Sequence, residues 1–293
     1  MQRVNHTLII RIIPRRLWLA LGPGWAVLGG VLASGGLRFE ANFWALNGAL
    51  LVKAALLWLL ADPVLGTLWH LMVERGAWRR LYRGMYLERP GVKPLFPYTT
   101  RYSMGYRLSA LAAALRAHND GLWQTFLLLA VMALVLAALL GRPVMLYAGV
   151  SILLAVWAGR PQRVPASAGP QFWQSVATFL LPYLAALNLA GGVPRAGLLV
   201  GVCYWVVYLG SLRLAAGRNS GARPVIVGQA VAAGLLFALV EPVAATAVSL
   251  AAVFGLMRYL QAGPNRAVGW ADSIHPFLLS GLLIAAFLLG AAA

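Results

Sequence analysis

The sequence predicts an all-α, polytopic membrane protein of nine transmembrane helices in a helical barrel, with its N-terminus inside and its C-terminus outside. Three observations predict it. Hydrophobic residues make up 61% of the 293, and the mean hydropathy is +0.77, far above the soluble average of about 45–50% apolar residues. A soluble domain of this length has no interior large enough for that surface, whereas lipid can solvate the outer faces of a bundle. The apolar residues also gather into long runs. Finally, the 24 Lys and Arg, set against only seven Asp and Glu, lie almost entirely between those runs and on alternate sides of them.

The runs fall at roughly Leu17–Ser34, Trp44–Leu68, Leu122–Leu140, Val144–Trp157, Val176–Ala190, Ala196–Leu214, Val225–Leu239, Val243–Met257 and Pro276–Ala293. Several are near or below the about 17–25 residues of a full crossing, so tilted or capped helices are expected. They are too long and too rich in Leu and Ala for barrel strands. With the N-terminus inside, 20 cations fall in inside segments, whereas only Arg38, Arg142 and Arg195 fall outside; Lys53 lies within the second run. That asymmetry sets the orientation. One inside loop, about Trp69–Gly121, is long, and its Tyr106–Ala117 stretch reads as an amphipathic surface helix. A single membrane domain, 1–293, is the simplest division, integral to the cytoplasmic (inner) membrane.

The composition narrows the function classes. The formal charge of +17 matches basic loops that touch anionic headgroups better than a nucleic-acid site, so no nucleic-acid partner is expected. Cys203 is the single cysteine and lies in an apolar run, which permits no intrachain disulfide. No small-residue cleavage site precedes Pro14-Arg15-Arg16, so no removable signal peptide is read. The seven acids, Glu40, Asp62, Glu74, Glu88, Asp120, Glu241 and Asp272, are nowhere spaced three or four apart.

Three segments carry a resemblance to a known family. The second run and its loop read Leu60-Ala61-Asp62-Pro63, then Lys93-Pro94-Leu95-Phe96-Pro97, then Arg107-Leu108-Ser109. Arg160 and Arg163 stand after the fourth run, ahead of Phe172. The sixth run ends Tyr208-Leu209-Gly210-Ser211-Leu212-Arg213, followed by Gly217-Arg218-Asn219-Ser220-Gly221. In this layout the chain resembles the UbiA-type intramembrane prenyltransferases, which join an isoprenoid diphosphate to an acceptor. The resemblance implies a cavity opening to the cytoplasm between the loops after the second and sixth spans. It would hold a membrane lipid or polyprenyl ligand.

That family holds diphosphate through Mg²⁺ between two Asp-rich motifs, and both are degenerate here. Hard cations need carboxylate oxygens. Asp62 alone stands at the first place, with Leu65, Gly66 and Trp69 a turn on; the second offers Ser211, Arg213, Arg218 and Asn219. No cofactor is therefore expected, and a Mg²⁺-diphosphate site of the usual kind cannot be assembled.

The candidate residues follow. Asp62 is the catalytic candidate, since a carboxylate at membrane depth is costly; the alternative is a cap or hinge before Pro63. Lys53, nine residues earlier, sits on roughly the opposite face and is a cavity candidate or a snorkelling side chain. His70, with Glu74 one turn on, is a second cavity candidate, but two ligands are too few for a structural metal. Arg79, Arg80, Lys93 and Arg101, facing Arg213, Arg218 and Asn219, are the phosphate-binding candidates, because guanidinium groups grip phosphate oxygens in pairs. The same cations also serve topology and headgroup contact. The expectation is a UbiA-like protein with a lipid or isoprenoid cavity, related to prenyltransferases but without their usual Mg²⁺ chemistry. The alternatives are a non-catalytic lipid- or pigment-binding subunit or assembly factor with membrane-complex partner proteins, and, more weakly, a transporter.

Overall fold

The structure is a computed structural model that describes residues 22–74, 122–159, 169–239, 241–262 and 267–292. Among these residues there is helix and turn but no strand. The helices are α1 (Gly22–Ala33), α2 (Phe43–Leu59), α3 (Leu65–Trp69), α4 (Leu122–Leu140), α5 (Arg142–Ala158), α6 (Gly169–Ser175), α7 (Leu181–Leu189), α8 (Arg195–Ala215), α9 (Ala222–Ala238), α10 (Pro242–Ala262) and α11 (Ala267–Ala292). Within the described residues, each predicted apolar run falls largely on one of these helices or on segments joined end to end. The long loop is outside the described residues from 75 onward, and its amphipathic stretch Tyr106–Ala117 with it.

Among the described residues six helices are long and apolar enough to cross a bilayer: Phe43–Met72, Gln171–Leu189, Arg195–Ala215, Asn219–Ala238, Pro242–Leu260 and Ile274–Ala291. Three shorter apolar helices, Gly22–Ala33, Gln124–Leu140 and Arg142–Ala158, accompany them. The outer faces carry large apolar side chains in the open, among them Leu139, Leu146, Leu153 and Phe237, each more than two-thirds exposed. In water such a surface would be an aggregation liability; against lipid tails it is the expected exterior. The described residues thus form an all-helical bundle with the long apolar helices and apolar exterior of a membrane protein.

Two of the rods are not continuous α-helix, and proline accounts for both. Leu60–Val64, between α2 and α3, is a π-helical turn that contains Pro63. Val176–Leu180, between α6 and α7, is a second, and Pro182 follows in the first turn of α7. A proline ring collides with the carbonyl four residues back and brings no N–H. Widening the turn to the i→i+5 pattern relieves that collision. A third π turn, His70–Glu74, ends the first rod without a proline.

The apolar core falls into two clusters. One is built by α1, α7, α8, α9, α10 and α11 with Phe179 of the second π turn, the other by α1, α2, α3, α4, α5 and α7 with residues of all three π turns. Helices α1 and α7 belong to both. Neighbouring residues divide the work: Ala26 faces the first cluster and Val27 the second, and on α7 Tyr183 and Leu187 face the first while Ala185 and Ala186 face the second. The α1–α7 pair is thus a shared wall. Its closeness depends on Gly30, where a methyl group would lie 2.6 Å from the Tyr183 carbonyl oxygen and 2.7 Å from the Ala186 Cβ. Small residues at such crossings let backbones approach where lipid supplies no hydrophobic drive.

The link after α1 is tied by one buried amide. Asn47 is 1% exposed. Its Oδ1 accepts from the Arg38 N–H at 2.9 Å, and its Nδ2 donates to the carbonyls of Arg38 at 2.7 Å and Phe43 at 2.9 Å. At the end of α4 a single residue, Gly141, makes the reversal with φ +109°, a conformation that favours glycine. Pro143 then opens α5, where a missing N–H costs nothing.

Replacing Gly30 with Leu is expected to drive α1 and α7 apart and lower stability by at least about 1–3 kcal/mol. Gly234→Ala, where a methyl meets nothing within 4 Å, is expected to be neutral or slightly stabilising. Thermal unfolding of the two variants in detergent separates the cases.

Candidate functional site

The candidate site begins with the widened turn at Pro63. The π turn swings Asp62 out of regular helical register within a rod whose flanking residues Leu60, Ala61 and Val64 are buried. Asp62 itself is partly buried. One helical turn earlier, Trp58 donates its indole N–H to the carboxylate. The indole lies against Gly24 of α1, where a methyl group would come within 2.6 Å of Nε1. A glycine at that point keeps the Trp58–Asp62 pair against the bundle.

Two tyrosines from other helices stand within electrostatic reach of the Asp62 carboxylate: Tyr147 of α5 and Tyr208 of α8. Both are buried. Tyr208 bonds to the Thr178 hydroxyl in the second π turn, and its ring stacks on Phe179 at 5.1 Å. The same ring fills the space beside Gly22, where any Cβ would collide with it. Tyr147 sits one turn from Ser151, and the Oη and Oγ of this pair lie near one another. Neither makes a hydrogen bond of standard geometry, although both are buried. The two proline-widened turns, α1, α5 and α8 therefore converge on one polar cluster within an apolar bundle.

The basic turn predicted after the sixth run lies beyond Tyr208 on α8. Arg213 is half-buried in the last turn of α8, a favourable place for a cation beside the free carbonyls. Gly217 ends the helix with φ +75°. The Arg218 N–H donates to the Arg213 carbonyl at 2.9 Å and the Gly217 N–H to the Leu214 carbonyl at 2.9 Å. This paired pattern is the Schellman cap, and glycine suits it because it needs a left-handed residue. The cap turns Arg218 and Asn219 outward, where both are exposed. The next helix returns at once because Gly210 and Gly221 pack against each other's backbone, with no room for a Cβ at either. From Tyr208 to Arg213 is five residues, roughly 8 Å along the axis, so the basic turn and the Asp62 cluster share one end of the bundle.

The other candidates divide. Lys53 is exposed. The 100° step of the helix turns it about half a revolution from Asp62, so it does not converge on the cluster. His70 is half-buried in the third π turn, two turns beyond Asp62, and makes contacts of its own. Arg79, Arg80, Lys93 and Arg101 lie outside the described residues. Among the described residues no group of three His, Cys, Asp or Glu side chains converges as metal ligands would.

Trp58, Tyr147, Ser151, Thr178 and Tyr208 were not predicted from the sequence. The signals were present but faint: a Tyr and a Ser four apart inside an otherwise apolar run, and a Tyr one and a half turns ahead of a basic helix end. Their convergence depends on which helices are neighbours, which spacing does not report. Comparison with models of known families, with characterised proteins and with solved structures finds no match to this chain.

Trp58→Phe removes the donor to Asp62 and leaves the carboxylate short of a partner. The expected result is a loss of about 1–3 kcal/mol, read as a lower unfolding temperature of the purified protein; unchanged stability would mean that the indole does not hold the carboxylate.

Proposed function

We propose that this chain is a UbiA-like integral membrane protein that receives an isoprenoid or comparable lipid chain in its bundle and an anionic head group at the Arg213–Arg218–Asn219 end. In this reading the bundle crosses the inner membrane nine times, with the N-terminus and the basic turn on the cytoplasmic side. The long basic loop with Arg79, Arg80, Lys93 and Arg101 faces the same head group. The protein is related to prenyltransferases, and arginines stand where their metal-binding acids would be.

The observation that carries the reading is the sharing of one bundle end by a buried carboxylate cluster and a capped basic turn, about one and a half helical turns apart on α8. Guanidinium groups neutralise a diphosphate directly and hold its oxygens in pairs. The apolar walls suit a chain of isoprene units, as in ligand sites generally, where a few polar groups orient a mostly apolar ligand.

The test uses the full chain in detergent and geranylgeranyl diphosphate as probe, with geranylgeraniol as the uncharged control. The diphosphate is expected to bind more tightly than the alcohol, with no change on chelation. Arg213→Ala with Arg218→Ala is expected to weaken it about tenfold or more. Binding that vanishes on chelation, or no preference for the diphosphate, overturns the reading. Mass spectrometry of co-purified molecules, combined with an assay for prenyl transfer, separates a catalyst from the alternative of a lipid- or pigment-binding subunit.

A further inference from the structure

Four aromatic rings gather in the open at the end of the bundle away from Asp62. Phe39 lies in the link after α1, Phe43 and Trp44 open α2, and Phe287 stands near the end of α11. The Phe39 ring packs edge-on to Phe287 at 5.1 Å and tilted against Phe43 at 5.8 Å, and Trp44 meets Phe43 edge-on at 5.5 Å. Rings of this size usually dominate cores; here Trp44 is 77% exposed, Phe39 60% and Phe287 41%. The support beneath them is firm. Asn47 holds the Arg38 backbone by both its N–H and its carbonyl. Gly290, three residues beyond Phe287, packs so closely on the end of α1 that a Cβ would collide with the Leu32 carbonyl.

Depth puts this cluster at a bilayer boundary. From Phe43 to Asp62 is 19 residues, about 28 Å along the rod and close to the about 30 Å of a hydrocarbon core. The apolar span Phe43–Met72 begins at these rings, and the span Ile274–Ala291 ends beside them. Aromatic side chains at that level sit among head groups. Charge then narrows the partner. Phe39 stands between Arg38 and Glu40, and all three are exposed. Aromatic faces attract a cation, an ammonium group above all, and Glu40 adds a carboxylate. Arg38 suits a phosphate. A head group that carries phosphate and ammonium together matches all three features. An anionic head group satisfies Arg38 alone and meets Glu40 with like charge.

We infer that Arg38, Phe39, Glu40, Phe43, Trp44 and Phe287 form a docking surface for a phospholipid whose head group bears an ammonium and a phosphate. The rings and Glu40 take the ammonium and Arg38 takes the phosphate. The acyl chains continue along the flank of α2, where Leu46 and Val52 are exposed. The inference goes beyond the proposed function and does not depend on it, since the surface is at the other end of the bundle and needs neither Asp62 nor Arg213.

The test is native mass spectrometry of the full chain released from detergent micelles that contain equal amounts of dioleoyl phosphatidylethanolamine and dioleoyl phosphatidylglycerol. Basic segments elsewhere also hold anionic lipid, so the quantity read is the change from parent to variant. Phe39→Leu combined with Trp44→Leu keeps an apolar surface and removes the rings. It is expected to lower retained phosphatidylethanolamine about two- to fivefold and to leave phosphatidylglycerol unchanged. Glu40→Gln should lower phosphatidylethanolamine about twofold. The three positions are exposed, so the fold is expected to persist, checked by unfolding temperature. Equal loss of both lipids marks a plain apolar contact and overturns the inference, as does phosphatidylethanolamine retention unchanged in either variant. A dimeric parent whose ring variant is monomeric, with the same lipid ratio, assigns the surface to a second copy of the chain and overturns it as well.

Discussion

Pro63 takes one amide out of a rod that has no water to replace it. In lipid every backbone polar group must find a partner within the protein, so the chain cannot simply break at a proline. It widens by one residue into a π turn, Leu60–Val64, and the residue swung out by that turn is Asp62. The same solution recurs ahead of Pro182 at Val176–Leu180, and there Thr178 is the residue that reaches Tyr208. Two backbone constraints of the same kind therefore bring a carboxylate and a hydroxyl toward one place.

Close packing does the rest. Glycines at 22, 24 and 30 make α1 a thin element against which the Tyr208 ring, the Trp58 indole and the α7 backbone all rest. A larger side chain at any of them would push apart the helices that supply the polar cluster. Because α1 and α7 contribute to both apolar clusters, their separation is felt on both sides of the shared wall. The stability of this wall and the geometry of the site are thus the same physical quantity seen twice.

Charge placement adds a division of labour. Arg213 and Arg218 sit at a helix end whose carbonyls favour cations, and the Gly217 cap exposes Arg218 while leaving Arg213 half-buried. Asp62 stands deeper, beside tyrosines rather than arginines. Among the described residues, cations at the rim and a carboxylate deeper in the bundle are thus set apart at one end.

By itself the sequence determined the all-helical membrane character, the positions of the apolar runs, Asp62 beside Pro63 as an exceptional pair, and the basic helix end at Arg213–Asn219. These are local properties: hydropathy over some twenty residues, a missing amide, a glycine after the last turn. Even Lys53 carried its answer in its spacing, since nine residues put it half a revolution from Asp62. Only the tertiary structure decided that Tyr147, Ser151, Thr178 and Tyr208 meet at Asp62, that α1 and α7 form a shared wall, and that Asn47 ties the first link. Each of those depends on which face of which helix lies against another, and a nearly uniform coat of apolar side chains in lipid does not encode that in its periodicity. The helices find their neighbours through the shapes of small residues at the crossings, and those shapes have meaning only in pairs.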